Sequence, residues 1–221
     1  MWIKVCGIRD RQTAREVAQS EIDAIGLNFY ANSPRFVTTD EAMEISNILP
    51  VRIERVGVFV NHSIVEIERI AQSCRLNAVQ LHGDESLSFA AELQQRLPET
   101  RLIRAWRMST EGLAGLARYL DEAEVQKLRF AGCLVDAHVA NVFGGSGKTV
   151  DWNLLSQEYR QEAWPPLILA GGLDPGNVVE AIGVVKPWGI DVASGVESSP
   201  GVKDLQRLRQ FVANARFTAE K

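Results

Sequence analysis

Apolar residues fall along the chain in two alternating rhythms. Short runs of β-branched and aliphatic residues are each followed by a longer stretch. In the longer stretch apolar positions recur every three or four residues behind a polar start. The short runs predict strands over 3–8, 24–29, 55–60, 78–82, 102–107, 131–136, 167–170 and 189–193. The longer stretches predict helices over 11–19, 40–48, 63–73, 86–97 and 110–120, a short helix from Asp151, and helices over 176–184 and 203–215. Thr39 or Asp40 is the expected cap of the second helix. Eight strand–helix units predict an α/β fold, a single (β/α)8 TIM barrel spanning 1–221. A doubly wound open sheet shares the alternation but wants a glycine-rich turn after its first strand. Here Gly7 stands alone.

Strand residues two apart share a face, which puts Lys4 beside Cys6 on the first strand and Gln80 beside His82 on the fourth. Asp136 ends the sixth strand and Asp191 lies in the eighth. A barrel interior is mostly branched aliphatic, and catalytic groups gather at the carboxyl ends of the strands. Polar groups facing inward therefore need partners or a task. An unpaired buried charge costs several kcal/mol, so Lys4 is expected to pair with a carboxylate, Asp191 being the candidate. Its charge is also expected to lower the Cys6 pKa. A lone cysteine in an apolar run more often serves as a small buried hydrophobe; its place at a strand end is what singles out Cys6.

Three glycine clusters follow the last three strands: Gly144-Gly145-Ser146-Gly147, Gly171-Gly172 and Gly195 in Ala193-Ser194-Gly195-Val196. Loops after strands seven and eight of a barrel commonly cradle phosphate, and glycine lets the backbone come close to it. Gly147-Lys148-Thr149 looks like the end of a P-loop, but Val142 occupies the position of that motif's first glycine.

Composition narrows the classes of partner. A formal net charge of −4 gives no electrostatic reason for nucleic acid or an anionic membrane. Local backbone N–H groups can still bind a phosphate. Three widely spaced cysteines, Cys6, Cys74 and Cys133, suit neither a disulfide framework nor a zinc knuckle, and a reducing cytoplasm is the expected setting. Met1-Trp2-Ile3-Lys4 enters a strand without a charged leader, and no apolar run is long enough to span a bilayer.

Taken in order, several segments carry a more specific pattern. They are Lys4-Val5-Cys6-Gly7-Ile8, Ser33-Pro34-Arg35-Phe36-Val37, Val79-Gln80-Leu81-His82-Gly83-Asp84-Glu85, and Asp136 with the run from Gly144 to Trp152. Leu169-Ala170-Gly171-Gly172-Leu173 and the run from Asp191 to Glu197 with Pro200-Gly201-Val202-Lys203-Asp204 complete it. In this order and spacing the chain resembles the phosphoribosylanthranilate isomerase family of tryptophan biosynthesis, nearly end to end.

The resemblance implies a (β/α)8 barrel performing an Amadori rearrangement of N-(5-phosphoribosyl)anthranilate, a phosphorylated aminoaldose, to 1-(2-carboxyphenylamino)-1-deoxyribulose 5-phosphate. It implies no metal and no organic cofactor. By position it makes Cys6 the general base and Asp136 the general acid, and gives the anthranilate carboxylate to Arg35, with His82 and Asp191 also at the substrate. Gly145, Gly147, Gly171, Gly172, Ser194 and Gly195 become the phosphate site. Ala193 stands where the family has serine, Arg9 where threonine is commoner, and Asn28 where an apolar residue is usual. Two rivals remain open: a metal-dependent pentose-phosphate epimerase, and a silent barrel that binds a phosphorylated metabolite or a partner protein. The sequence leaves the oligomeric state open.

Overall fold

The computed structural model describes residues 1–108, 112–137 and 151–219. Eight parallel strands close on themselves in sequence order. They are β1 (Trp2–Cys6), β2 (Ala24–Asn28), β3 (Glu54–Phe59), β4 (Ala78–Leu81), β5 (Arg101–Met108), β6 (Gly132–Ala137), β7 (Leu167–Leu169) and β8 (Gly189–Val192). Eight helices alternate with them: α1 (Arg11–Val17), α2 (Thr39–Ile48), α3 (Ile64–Ser73), α4 (Leu87–Arg96), α5 (Ala114–Val125), α6 (Trp152–Glu158), α7 (Val178–Val185) and α8 (Leu205–Ala219). The barrel is closed by β1 pairing with β8, Lys4 opposite Asp191. β6 is thus three strand steps from β1 through β8 and β7, and β5 is the strand directly across.

Helix starts follow from side-chain capping. Thr38, rather than Thr39 or Asp40, caps α2: its hydroxyl accepts from Glu41 N while the Glu41 carboxylate accepts from Thr38 N. Ser63 and Glu66 repeat this box on α3. Each box satisfies backbone donors that the first turn leaves open.

Two apolar clusters form the core. The larger lies between strands and helices and includes Ile3, Val5, Ile25, Leu27, Phe59 and Leu81. The smaller fills the barrel with Ala24, Val56, Ala78, Ile103, Ala105, Leu134, Ile168 and Ala170. Half of those interior residues are alanine, and the reason is volume. Lys4 and Gln80 also occupy the interior, 0% and 1% exposed, and two long side chains need small neighbours in a close-packed space. Gly26 serves the same end: a Cβ there would stand 2.7 Å from Cys6 Sγ and 3.1 Å from Lys4 Nζ.

The segment after β8 departs from expectation. A single 3-10 turn, Ser194–Val196, leads into a two-stranded antiparallel hairpin of β9 (Glu197–Ser199) and β10 (Val202–Lys203). Gly201 turns it with φ of +82°. The closing helix begins at Leu205, so Lys203 belongs to a strand rather than to the helix predicted over 203–215. Among the described residues no helix is long and apolar enough to cross a membrane.

Candidate active site

The carboxyl ends of the strands surround a cleft of about 670 Å³, its open mouth included. Cys6, at the end of β1, and Asp136, on β6, both line it. So do Arg35, from the loop after β2, and His82, just past β4. Gly171, Gly172, Asp191 and Ser194 complete the predicted residues that meet there. Gly195 is not among the lining residues: it backs onto the Leu173 carbonyl, and a Cβ would collide with that oxygen. Its glycine thus lets the turn after β8 pack on the loop after β7. Gly145 and Gly147 lie outside the described residues.

Charged side chains link across the cleft floor and wall. Lys4 Nζ donates to Asp191 Oδ2 at 2.9 Å, with Lys4 fully buried, as the cost of a lone buried charge required. Burial works against the ammonium, but Asp191 and Cys6 outweigh it, and the Lys4 pKa is raised. Glu197 is the hub of a second set. It accepts from Arg35 Nε at 2.9 Å and Nη2 at 2.7 Å, and from Lys203 Nζ at 2.7 Å. Lys203 also donates to the Ala193 carbonyl at 3.0 Å, fixing the turn that carries Ser194. Burial raises the Glu197 pKa, and the two cations more than offset this, so it lies below the ordinary carboxylate value.

Neither Glu197 nor Lys203 was singled out by the sequence as a site residue. The partners Arg35 and Glu197 are 162 residues apart. A bidentate carboxylate on a guanidinium is a strong, oriented contact. It takes the Nε–H and one Nη2–H, which leaves the edge bearing Nη1 for a second anion. Gly7, at φ of +80°, makes room for the same side chain: an added Cβ would strike Arg35 Cδ.

Asn28, the polar residue in an otherwise apolar strand, also acts on Arg35. Its Oδ1 accepts from Tyr30 N at 2.9 Å and its Nδ2 donates to Ser33 Oγ at 3.2 Å. Ser33 Oγ in turn accepts from Arg35 N at 3.1 Å. Asn28 therefore shapes the loop that presents the guanidinium.

The Cys6 pKa corrects the sequence expectation. Burial raises it, and although Lys4, Lys203 and Arg35 each lower it, the net direction is upward. The effect of Lys4 has the anticipated sign; desolvation of a thiolate is larger. Cys74 and Cys133, buried among apolar groups, are pushed up to about 11 and about 12. His82 moves the other way, to about 3, through burial first and then Lys4, Arg107 and Arg104. It is a neutral imidazole at physiological pH.

Fold and site together define a (β/α)8-barrel enzyme whose ionisable groups converge on one cleft at the strands' carboxyl ends. The sequence model of the N-(5'-phosphoribosyl)anthranilate (PRA) isomerase family matches residues 3–214. N-(5'-phosphoribosyl)anthranilate isomerase of Trichlorobacter lovleyi is 37% identical over 97% of both chains. That of Nostoc punctiforme is 41% identical over 96% of both. The crystal structure of the Thermotoga maritima enzyme superposes with a TM-score of 0.86 at 36% identity, covering 98% of this chain and 99% of that one. The chain belongs to the N-(5'-phosphoribosyl)anthranilate isomerase family: it is an isomerase of tryptophan biosynthesis.

Proposed function

We propose that the cleft converts N-(5-phosphoribosyl)anthranilate to 1-(2-carboxyphenylamino)-1-deoxyribulose 5-phosphate by an Amadori rearrangement, with Asp136 as general acid and Cys6 as general base. The observation that carries this reading is that a carboxyl and a thiol from β6 and β1 line one cleft together with the Arg35 guanidinium. Asp136 gives its proton to the furanose ring oxygen as the bond from that oxygen to C1' breaks. The anthranilate nitrogen lone pair then forms an iminium with C1'. The Cys6 thiolate takes the C2' proton, and the electrons of that C–H bond close a C1'–C2' double bond while the nitrogen regains its pair. The resulting enolamine becomes the ketone when the C2' hydroxyl loses its proton and C1' gains one. Each positioned acid or base is expected to contribute about 10²–10⁴-fold.

Neighbouring cations favour the thiolate against the burial that opposes it. Lys4, Lys203 and Arg35 bring three positive charges, and Asp191 and Glu197 two negative ones. A thiolate at Cys6 balances the set. Arg35 takes the anthranilate carboxylate through Nη1. Gly171, Gly172 and Ser194 face the phosphate with backbone N–H groups, and φ of +84° and +64° at the two glycines opens that backbone. Gly145 and Gly147 are assigned to the same anion from the sequence. A relative, phosphoribosyl anthranilate isomerase, has been solved in complex with reduced 1-(o-carboxyphenylamino)-1-deoxyribulose 5-phosphate, at 35% identity and a TM-score of 0.83. That ligand carries the carboxylate and the phosphate this reading needs. The substrate is thus a small phosphorylated molecule, and the reaction calls for no cofactor.

The test is turnover of freshly generated phosphoribosylanthranilate, followed by loss of anthranilate fluorescence, for wild type beside Cys6→Ser and Asp136→Asn. Fast wild-type turnover with collapse in both variants is expected. Turnover unaffected by either change would remove that residue from its role.

A further inference from the structure

The proposed acid–base pair leaves one contact in the cleft without a task. Gln80 and His82 lie on the same face of β4 and just beyond it, and both are buried. Gln80 Nε2 stands 2.8 Å from His82 Nδ1. On the other edge of the ring, His82 Nε2 is 4.0 Å from Asp136 Oδ2 and has no hydrogen-bond partner among the described residues. With Gln80 Nε2 turned to the ring the amide donates and Nδ1 accepts, so a neutral ring carries its proton on Nε2, while Gln80 Oε1 is buried with no partner among the described residues.

The charged groups around the ring come from three strands. Lys4 on β1 and Arg104 and Arg107 on β5 are cationic, and all oppose an imidazolium. Among the described residues the acidic group against the ring is Asp136 on β6, its Oδ2 4.0 Å from the far nitrogen. The single structural choice left to the imidazole is which nitrogen bears the proton, and Gln80 makes it.

We propose that Gln80 is a positioning residue that locks His82 as the neutral tautomer protonated at Nε2, so that the ring offers Asp136 an uncharged hydrogen-bond donor. The value of this lies in what a charge would do. An imidazolium beside Asp136 would hold the carboxyl ionised before the reaction and so disarm it as an acid. A neutral N–H does less to the resting carboxyl, yet can close on the carboxylate that remains once its proton has gone to the ring oxygen. The other tautomer would turn a bare nitrogen toward Asp136 and compete for that proton. The inference rests on the reading of Asp136 as the acid for its purpose, but not for the tautomer itself.

The experiment is nitrogen NMR of the intact protein labelled in its histidine rings, recorded from about pH 5 to pH 9, where an unperturbed histidine titrates. His82 is assigned by comparison with His62→Gln and His138→Gln. In wild type, Nδ1 should resonate as a bare acceptor and Nε2 as protonated, with no titration in that window. Gln80→Met should leave a mixture of tautomers. Gln80→Glu should place a carboxylate on Nδ1, protonate it and bring the imidazolium into the window. In that variant the alkaline limb of the kcat profile should move to lower pH. The loss of kcat is roughly tenfold for each unit by which the limb falls below the assay pH, with KM changed less. A proton on Nδ1 in wild type, or ordinary titration of His82, would overturn the proposal even if both variants failed to fold. An unchanged His82 spectrum in a folded Gln80→Met would overturn it too. If Asp136→Asn retains full activity while the tautomer is as stated, the reading of Asp136 fails and the lock stands without its catalytic purpose.

Discussion

Replacing Lys4 with methionine keeps an unbranched side chain, one heavy atom shorter, and removes its charge at the seam where the barrel closes. Lys4 and Asp191 face each other across β1 and β8, 2.9 Å apart, and Asp191 Oδ1 has no partner among the described residues. At an effective dielectric of 20 their attraction is about 6 kcal/mol before desolvation is counted. The substitution leaves Asp191 buried with its one charged bond gone, a situation that costs about 3–5 kcal/mol. Against a typical domain stability of about 5–15 kcal/mol, that is a large loss. The pH dependence has a definite sign. Burial already raises the Asp191 pKa above its ordinary value, with Lys4 pulling it back. Without Lys4 it rises further, so the folded variant takes up a proton more readily than the unfolded chain. Its stability therefore improves as pH falls toward the ordinary carboxylate range. Urea unfolding followed by circular dichroism at about pH 8 and about pH 5.5 should show a deficit that shrinks in acid. Adding Asp191→Leu should restore most of the loss, because an apolar pair carries no stranded charge. A cost below about 1 kcal/mol for the single change, or a double variant no better than the single one, would refute the argument.

The thiol offers a second test: alkylation of Cys6 by iodoacetamide, in a Cys74→Ala/Cys133→Ala background, should have its midpoint above that of free cysteine, and Lys4→Met should move it higher still. A midpoint below free cysteine would mean that the cations outweigh burial. For Glu197 the pKa is depressed by Arg35 and Lys203, so its contribution is present above the ordinary value of 4.5 and is lost as pH falls through the lower folded value. Acid unfolding of Glu197→Gln should lack that step, and a profile parallel to wild type would count against the hub. Gly26→Ala pushes a methyl toward Cys6 Sγ and Lys4 Nζ. Overpacking of this kind costs about 1–3 kcal/mol, and kcat should fall with it; unchanged melting and unchanged kcat would mean the space exists. Asn28→Leu should raise KM more than it lowers kcat, since it frees the loop bearing Arg35.

The barrel was legible because its signals are local. Each strand and helix announces itself within a few residues through its period, and the strand ends then indicate where Cys6, His82 and Asp136 must meet. Even the Lys4–Asp191 pair could be anticipated, since a buried lysine admits few alternatives. The hairpin over 197–203 escaped because Glu-Ser-Ser-Pro-Gly-Val-Lys has no alternating apolar face: one strand is three residues and the other two. With the hairpin went Lys203, whose side chain is nearly as buried as that of Lys4. Asn28 had no visible reason either, because its partners Tyr30 and Ser33 become neighbours only once the loop folds back. Gly195 had the right type for a phosphate loop, and only the packing of the Leu173 carbonyl behind it distinguishes its task from that of Gly171 and Gly172.

The direction of the Cys6 pKa was misjudged for a related reason, and the error bears on how the proposed base works. Sequence reveals the neighbour two residues away on the same face; it does not reveal the depth of burial. At Cys6 these act in opposition: burial destabilises the thiolate, while Lys4, Lys203 and Arg35 stabilise it. Each extreme would fail as a base. Without the cations burial would act on the thiol unopposed; at Cys133, where burial dominates, the pKa is pushed up to about 12. Without burial the thiolate would be plentiful but a weak acceptor for a carbon-bound proton. Brønsted behaviour favours a strong base, and the three cations offset part of what burial costs the thiolate, which is the compromise the cleft makes. That compromise is set by strand register. Lys4 sits two residues before the thiol, and Asp191 stands opposite Lys4 across the seam, holding the ammonium charged and aligned. A register slip of one residue between β1 and β8 would set Ile3 or Val5 opposite Asp191 and an aliphatic residue opposite Lys4, and so would break both the apolar matching of the seam and the charge balance on which the proposed base depends.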